Sequence, residues 1–121
     1  MRALFDTNIM LDYLKGLPQA KEEFPRHKKI CLSLISWMEV LVGARNEVEI
    51  LKLKQFLSKF DVLAITTEIA EVAITLRQQY RIKLPDALIW ATAEVNHCLF
   101  ITRNTKDFPD THPSIRVPYR I

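Results

Sequence analysis

The sequence predicts an α/β fold: a single Rossmann-like domain with a central parallel sheet of about four or five strands and helices on both faces. Three features of the chain point to it. Short apolar runs of strand length alternate with longer segments whose apolar residues recur at helical spacing. The 121 residues suit one domain, since domains usually run about 100 to 200 residues. Finally, 49% hydrophobic and 26% charged residues supply a core that needs neither disulfides nor a structural metal.

In chain order, Ala3–Phe5 is an apolar strand that stops at Asp6, and Thr7-Asn8 caps a helix carrying Ile9, Leu11, Tyr13 and Leu14. Gly16 and Pro18 end that helix, and the polar residues 19–29 predict a second, short one. Residues 30–34 read as a buried strand. Ser36-Trp37-Met38-Glu39 has the S-x-x-E spacing of a capping box and opens a strongly apolar helix reaching Ala44. A helix over residues 48–59 places Ile50, Leu53 and Leu57 near one face, and residues 62–65 form a third strand. Thr66-Thr67-Glu68 opens a helix with Ile69, Val72, Ala73 and Leu76 on its apolar face. Leu84-Pro85-Asp86 starts another, with proline in the first turn, through Ala87, Leu88, Trp90, Ala91 and Val95. Residues 98–101 are a fourth strand and residues 115–117 a fifth at the edge, and the proline-rich tail from Phe108 onward wraps the outside of the same domain.

Several function classes drop out. The two glycines, Gly16 and Gly43, stand 27 positions apart, so no glycine-rich phosphate loop can be written. Cys31 and Cys98 are isolated in apolar stretches, which predicts two buried free thiols in a reducing compartment. Charges at Arg2 and Asp6 come too early for a secretory signal, and no apolar run approaches the ~18 residues of a membrane span, so a soluble cytoplasmic protein is expected. His27, His97 and His112 have no metal-ligand spacing. A D-x-D phosphatase would need an acid where Asn8 stands.

The acids carry the functional signal. Asp6 follows the first strand, Glu39 lies in the helix after the second, Asp86 opens a later helix and Asp107 lies just beyond the fourth strand. Sites in open parallel sheets form outside the carboxyl ends of the strands, so these four acids are expected to meet in one cleft. Crowded carboxylates raise one another's pKa values, and a divalent cation relieves the conflict; oxygen-only ligands select a hard ion, Mg²⁺ or Mn²⁺. Each acid has a plainer reading: a turn residue for Asp6, a capping box for Glu39, the helix dipole for Asp86, a solvated loop for Asp107. Coincidence in one place favours the site, with Ser36, Thr102 and Asn104 as hydrogen-bonding partners of the ligands. Other acids, Glu22, Glu23, Glu47, Glu49, Glu71 and Asp110 among them, read as solvated surface.

Four blocks, Leu4-Phe5-Asp6-Thr7-Asn8, Ser36 through Ala44, Leu84 through Ala91 and Ile101 through Phe108, resemble the PIN domain, and within it the VapC-type toxin ribonucleases. The resemblance spans nearly the whole chain and implies one PIN domain over residues 1–121. It implies Asp6, Glu39 and Asp86 as catalytic and metal-site acids, with Thr7 and Asn8 shaping the first turn, and Asp107 is taken as the fourth such acid, with Asn104 as the alternative for that position. It further implies Mg²⁺- or Mn²⁺-dependent endonucleolytic cleavage of RNA by an activated water, leaving 5′-phosphate and 3′-hydroxyl ends, and a cognate VapB-type antitoxin as partner. The formal charge is only +3, but setting four site acids aside leaves ten acids against seventeen basic residues, an excess that suits a polyanion. Arg103 and Lys106 are the cations expected nearest the scissile phosphate, with Arg45, Arg77, Arg81 and Lys83 extending the track. The apolar helices after Glu39 and Asp86 suggest a homodimer. The competing expectation is a PIN-like module that binds RNA or protein without cutting, since Asn104 stands where many family members carry an acid.

Overall fold

The computed structural model describes residues 2–121. Its centre is β1 (Ala3–Phe5), whose period-two side chains are buried on both faces: Leu4 packs into one apolar cluster, Ala3 and Phe5 into the other. On its two sides lie β2 (Ile30–Ser33) and β4 (Leu99–Ile101), flanked in turn by β3 (Asp61–Leu63) and β5 (Ile115–Arg116). All pairs are parallel, in the order β3-β2-β1-β4-β5. The expected α/β architecture with a parallel sheet of about four or five strands is therefore present, with five.

Among the described residues, six α-helices cover the sheet. On one face α1 (Thr7–Leu14), α3 (Leu34–Val42) and α4 (Glu47–Leu57) bury Ile9, Met10, Val40 and Leu57 against Phe5, Leu32 and Ile101. On the other, α5 (Thr67–Tyr80) and α6 (Leu84–Val95) pack Ile69, Ala73, Ile89 and Trp90 against Leu4, Cys31 and Phe100. Phe108 and Ile115, from the chain beyond β4, complete this second layer. The cysteines are buried and free, as expected. Among the described residues no helix is long and apolar enough to cross a membrane.

Local differences from the sequence expectation have physical causes. Pro18 does not merely end α1: it occupies the first turn of α2 (Pro18–Glu23), where its missing N–H is no loss, and a short 3₁₀ turn follows at Phe24–Arg26. The third strand sits one residue earlier than expected and stops at Leu63, where pairing with Ser33 ends. Glu23 is not solvated surface. It is buried, and accepts two bonds from Arg116, at 2.8 and 3.0 Å, and one from His27.

The largest of these differences lies at α3. The helix starts at Leu34 directly after β2, and its cap is Ser33, whose hydroxyl accepts from the Ile35 amide at 3.1 Å. Ser36 and Glu39 are thus inside the helix, the capping box does not form, and both side chains are free to point elsewhere. Ser33→Ala should lower stability by about 1 kcal/mol. Glu39→Gln should stay within about 0.5 kcal/mol of the parent. Thermal melts of the two variants check this; the reverse order would restore the capping-box reading.

Candidate active site

The strand order reverses between β1 and β4, which is where ligands settle in open α/β sheets. Phe5 pairs with Ile101, and the Asp6 amide continues the ladder to the Ile101 carbonyl at 2.8 Å. Asp6 and Thr102, the next residues of the two strands, therefore emerge side by side.

Asp6 caps α1: one carboxylate oxygen accepts from the Thr7 amide at 2.8 Å. The other accepts from the Thr102 hydroxyl at 2.7 Å and from the Asn8 amide nitrogen at 3.1 Å. The side chain is buried, and burial is the main force lifting its pKa from 3.8 to about 7. The bonds from Thr102 and Thr7 oppose the rise, while the charges of Asp86 and Glu39 add to it.

Glu39 reaches the same place from α3, one turn beyond Ser36. The Thr7 hydroxyl donates to Glu39 Oε1 at 2.6 Å and is hydrogen-bonded with the buried Ser36 hydroxyl at 2.8 Å. Asp86 stands in the first turn of α6, just after Pro85. Its pKa is also raised, by burial first and then by Asp107 and Glu39, with Lys83 pulling the other way. An open cleft of about 400 Å³ is walled by Asp6, Thr7, Asn8, Glu39, Asp86 and Asn104, with Leu11 and Val42 at its edge. Asp107 stands behind this wall. The Asn104 side chain donates to it at 3.0 Å and accepts from its backbone amide at 3.2 Å.

Of the four acids expected to meet in one cleft, Asp6, Glu39 and Asp86 line it together with Thr7, Asn8 and Asn104, Ser36 and Thr102 join them through hydrogen bonds to Thr7 and Asp6, and Asp107 does not line it. Between the two candidates for the fourth position, Asn104 faces the cleft and Asp107 acts on it through charge. Among the described residues, no three Asp, Glu, His or Cys side chains are gathered tightly enough to enclose a metal ion. The donor set nevertheless fits a hard cation that keeps much of its water. Its groups are all oxygens, two carboxyls are raised by burial and mutual repulsion, and the buried Asn8 Oδ1 finds no donor among the described residues.

The cations are less uniform than the sequence implied. Arg103 does not stand free for a phosphate: its guanidinium makes two bonds, of 2.5 and 3.2 Å, to the carboxylate of Asp12. Arg77 donates to the Ile82 carbonyl at 2.6 Å, and Arg45 pairs with Glu49 at 3.3 Å on the surface. Lys83, Arg81 and Lys106 are exposed. Arg81 ends α5 in the left-handed conformation. Lys83 is the one whose charge is felt at Asp86. Asp12 went unnoticed in the sequence. Its only signal is a carboxylate within the otherwise apolar stretch of Ile9, Met10, Leu11 and Tyr13.

A doubly wound parallel sheet with acids gathered in a cleft at its reversal point, the buried Asp6 among them, is the arrangement of a PIN domain, and the sequence matches the family model of that domain over residues 3–112. Ribonuclease VapC19 of Mycobacterium tuberculosis is 34% identical over 125 residues, covering 96% of this chain and 98% of its own. The tRNA(fMet)-specific endonuclease VapC of Shigella flexneri is 29% identical over 119 residues, covering 89% of this chain and 90% of its own. A chain of a toxin–antitoxin complex from Klebsiella pneumoniae superposes with a TM-score of 0.92 at 44% identity, covering 98% of this chain and 99% of that one. The chain belongs to the PIN-domain family, in its VapC-type branch.

Proposed function

We propose that this protein is a divalent-metal-dependent endoribonuclease that acts in the cytoplasm as the toxin of a toxin–antitoxin pair. The observation that carries the reading is Asp6: buried, raised to about 7, and facing Asp86 and Glu39 across one cleft. A folded protein keeps such a group where function needs it, because burial and like charge both work against its ionised form.

Asp6, Glu39 and Asp86 would hold Mg²⁺ or Mn²⁺, with Asp107 adding negative charge behind Asn104. When bound, the ion supplies Lewis acidity, favouring deprotonation of water and offsetting charge on the phosphate. The chain's own groups provide the rest. The Thr7 amide, Thr102 and Asn8 fix both oxygens of Asp6, so little reorganisation is needed on loading. Thr7, hydrogen-bonded with Ser36, fixes Glu39. Lys83, Lys106, Arg81 and Arg45 are the cations that would draw an RNA backbone towards the cleft.

Exposed apolar side chains border the acids: Met38 and Val42 on α3 and Leu84 on α6. They suit burial by an antitoxin segment of the VapB type or by a second copy of the chain. The likeness to a chain of a toxin–antitoxin complex supports the first partner.

Purified protein incubated with RNA tests the proposal. Cleavage should require Mg²⁺ or Mn²⁺, stop with EDTA, and leave 5′-phosphate and 3′-hydroxyl ends. RNA binding without Mn²⁺-dependent cleavage would instead favour a non-cutting module, the reading to which Asn104 in the cleft wall lends support.

A further inference from the structure

We propose that Arg103 is a positioning residue: its two-bond contact with Asp12, locked by Tyr119, holds the loop after β4 against α1 and so fixes the Asn104–Asp107 side of the acidic cleft. This rests on the reading of the cleft as a nuclease site. Asp12 lies on α1, the helix that Asp6 caps, and is only 5% exposed. It accepts from Arg103 Nε at 2.5 Å, from Arg103 Nη2 at 3.2 Å and from the Tyr119 hydroxyl at 2.7 Å. Arg103 follows Thr102, which donates to Asp6, and precedes Asn104, whose amide donates back to Thr102 Oγ1 at 3.0 Å. The next regular element, β5, begins only at Ile115. The other bonds shaping the 102–107 segment are mostly internal to it or to Asp6, so the Asp12 contact is its tie to the body of α1. A planar guanidinium meeting a carboxylate through two bonds fixes direction as well as distance, which a lysine cannot reproduce.

Asp12→Asn separates positioning from phosphate contact, because it weakens the tie without removing a positive charge. Arg103→Ala and Asp12→Asn should each lower kcat by about tenfold to a hundredfold, the usual effect of a small misplacement. KM and the salt dependence of RNA binding should stay within about twofold of the parent. Arg103→Lys should recover only part of kcat. A parent-like kcat in Asp12→Asn, or full recovery by Arg103→Lys, would overturn the proposal, as would lost stability with unchanged turnover. Tyr119→Phe, a milder change, gives the same comparison should Asp12→Asn not fold. Hydrogen exchange supplies a readout independent of cleavage: the Asn104 and Asp107 amides should exchange faster in Arg103→Ala while those of α5 do not change. If the parent protein fails to cut RNA, the nuclease reading falls. The exchange result still decides the tie, and unchanged protection at Asn104 and Asp107 would refute it.

Discussion

Replacing Asp6 with asparagine should abolish RNA cleavage and, in the same protein, raise the stability of the metal-free fold at about pH 8. Loss of activity follows from removing the buried carboxylate that shares the cleft with Asp86 and Glu39. A drop of at least about a thousandfold corresponds to ~4 kcal/mol of barrier. The gain in stability follows from linkage. The Asp6 pKa is raised on folding, from 3.8 to about 7. Folding therefore favours the protonated carboxyl. Its contribution is full below the unfolded value near 4 and is lost as pH rises through 7, where the buried group must ionise. At ~1.36 kcal/mol per pKa unit the loss amounts to about 4 kcal/mol at most. Asparagine avoids it while retaining an oxygen for the Thr7 amide, and a turned Asn8 amide can offer its unpartnered oxygen to the new nitrogen. Allowing for imperfect bonds, we expect a gain of about 1–3 kcal/mol, or about 4–12 °C in Tm.

The pH signature makes this test selective. Asp12 and Glu23 are held below their ordinary values, burial opposing but their hydrogen bonds to Arg103 and Arg116 prevailing, so their contributions are lost as pH falls. Asp6 runs the opposite way. The difference in Tm between Asp6→Asn and the parent should thus be positive at about pH 8 and vanish near pH 4. Destabilisation at all pH values would mean that Asp6 is a structural cap and nothing more.

Mn²⁺ should stabilise the parent protein at about pH 8, and by a large amount. An ion that binds only the folded state adds about 2.7 kcal/mol at a hundredfold excess over its Kd. Here the ion also neutralises the repulsion that lifts Asp6 and Asp86, so the Tm should rise by about 10 °C. The increment should shrink below about pH 5, where protons compete for the same oxygens. Thermal melts across a Mn²⁺ series read it directly.

How much of this was legible in the chain differs residue by residue. Asp6 and Asp86 could be placed because strand ends and a proline-led helix start are local signals, and a parallel sheet gathers strand ends by topology. Glu39 was legible as a candidate only against a rival reading, since S-x-x-E spacing is shared by capping boxes. The tight β2–α3 junction, capped by Ser33, rules out the capping box. Asp12, Glu23 and Arg103 were not legible. Each looks like an ordinary charged residue until residues 91 to 93 positions away in sequence fold against it. Sequence spacing carries no trace of such long-range pairs, so Arg103 read as a free cation and Glu23 as surface.

The reading stands or falls on whether Asp6 and Asp86, 80 positions apart in the chain, share one ion. The most direct measurement is the Mn²⁺ titration by thermal melt repeated on Asp86→Asn. The shared-ion account predicts that most of the parent's Mn²⁺-induced rise in Tm disappears, although Asp6 is untouched. A rise as large as the parent's, at the same Mn²⁺ concentrations, would contradict it.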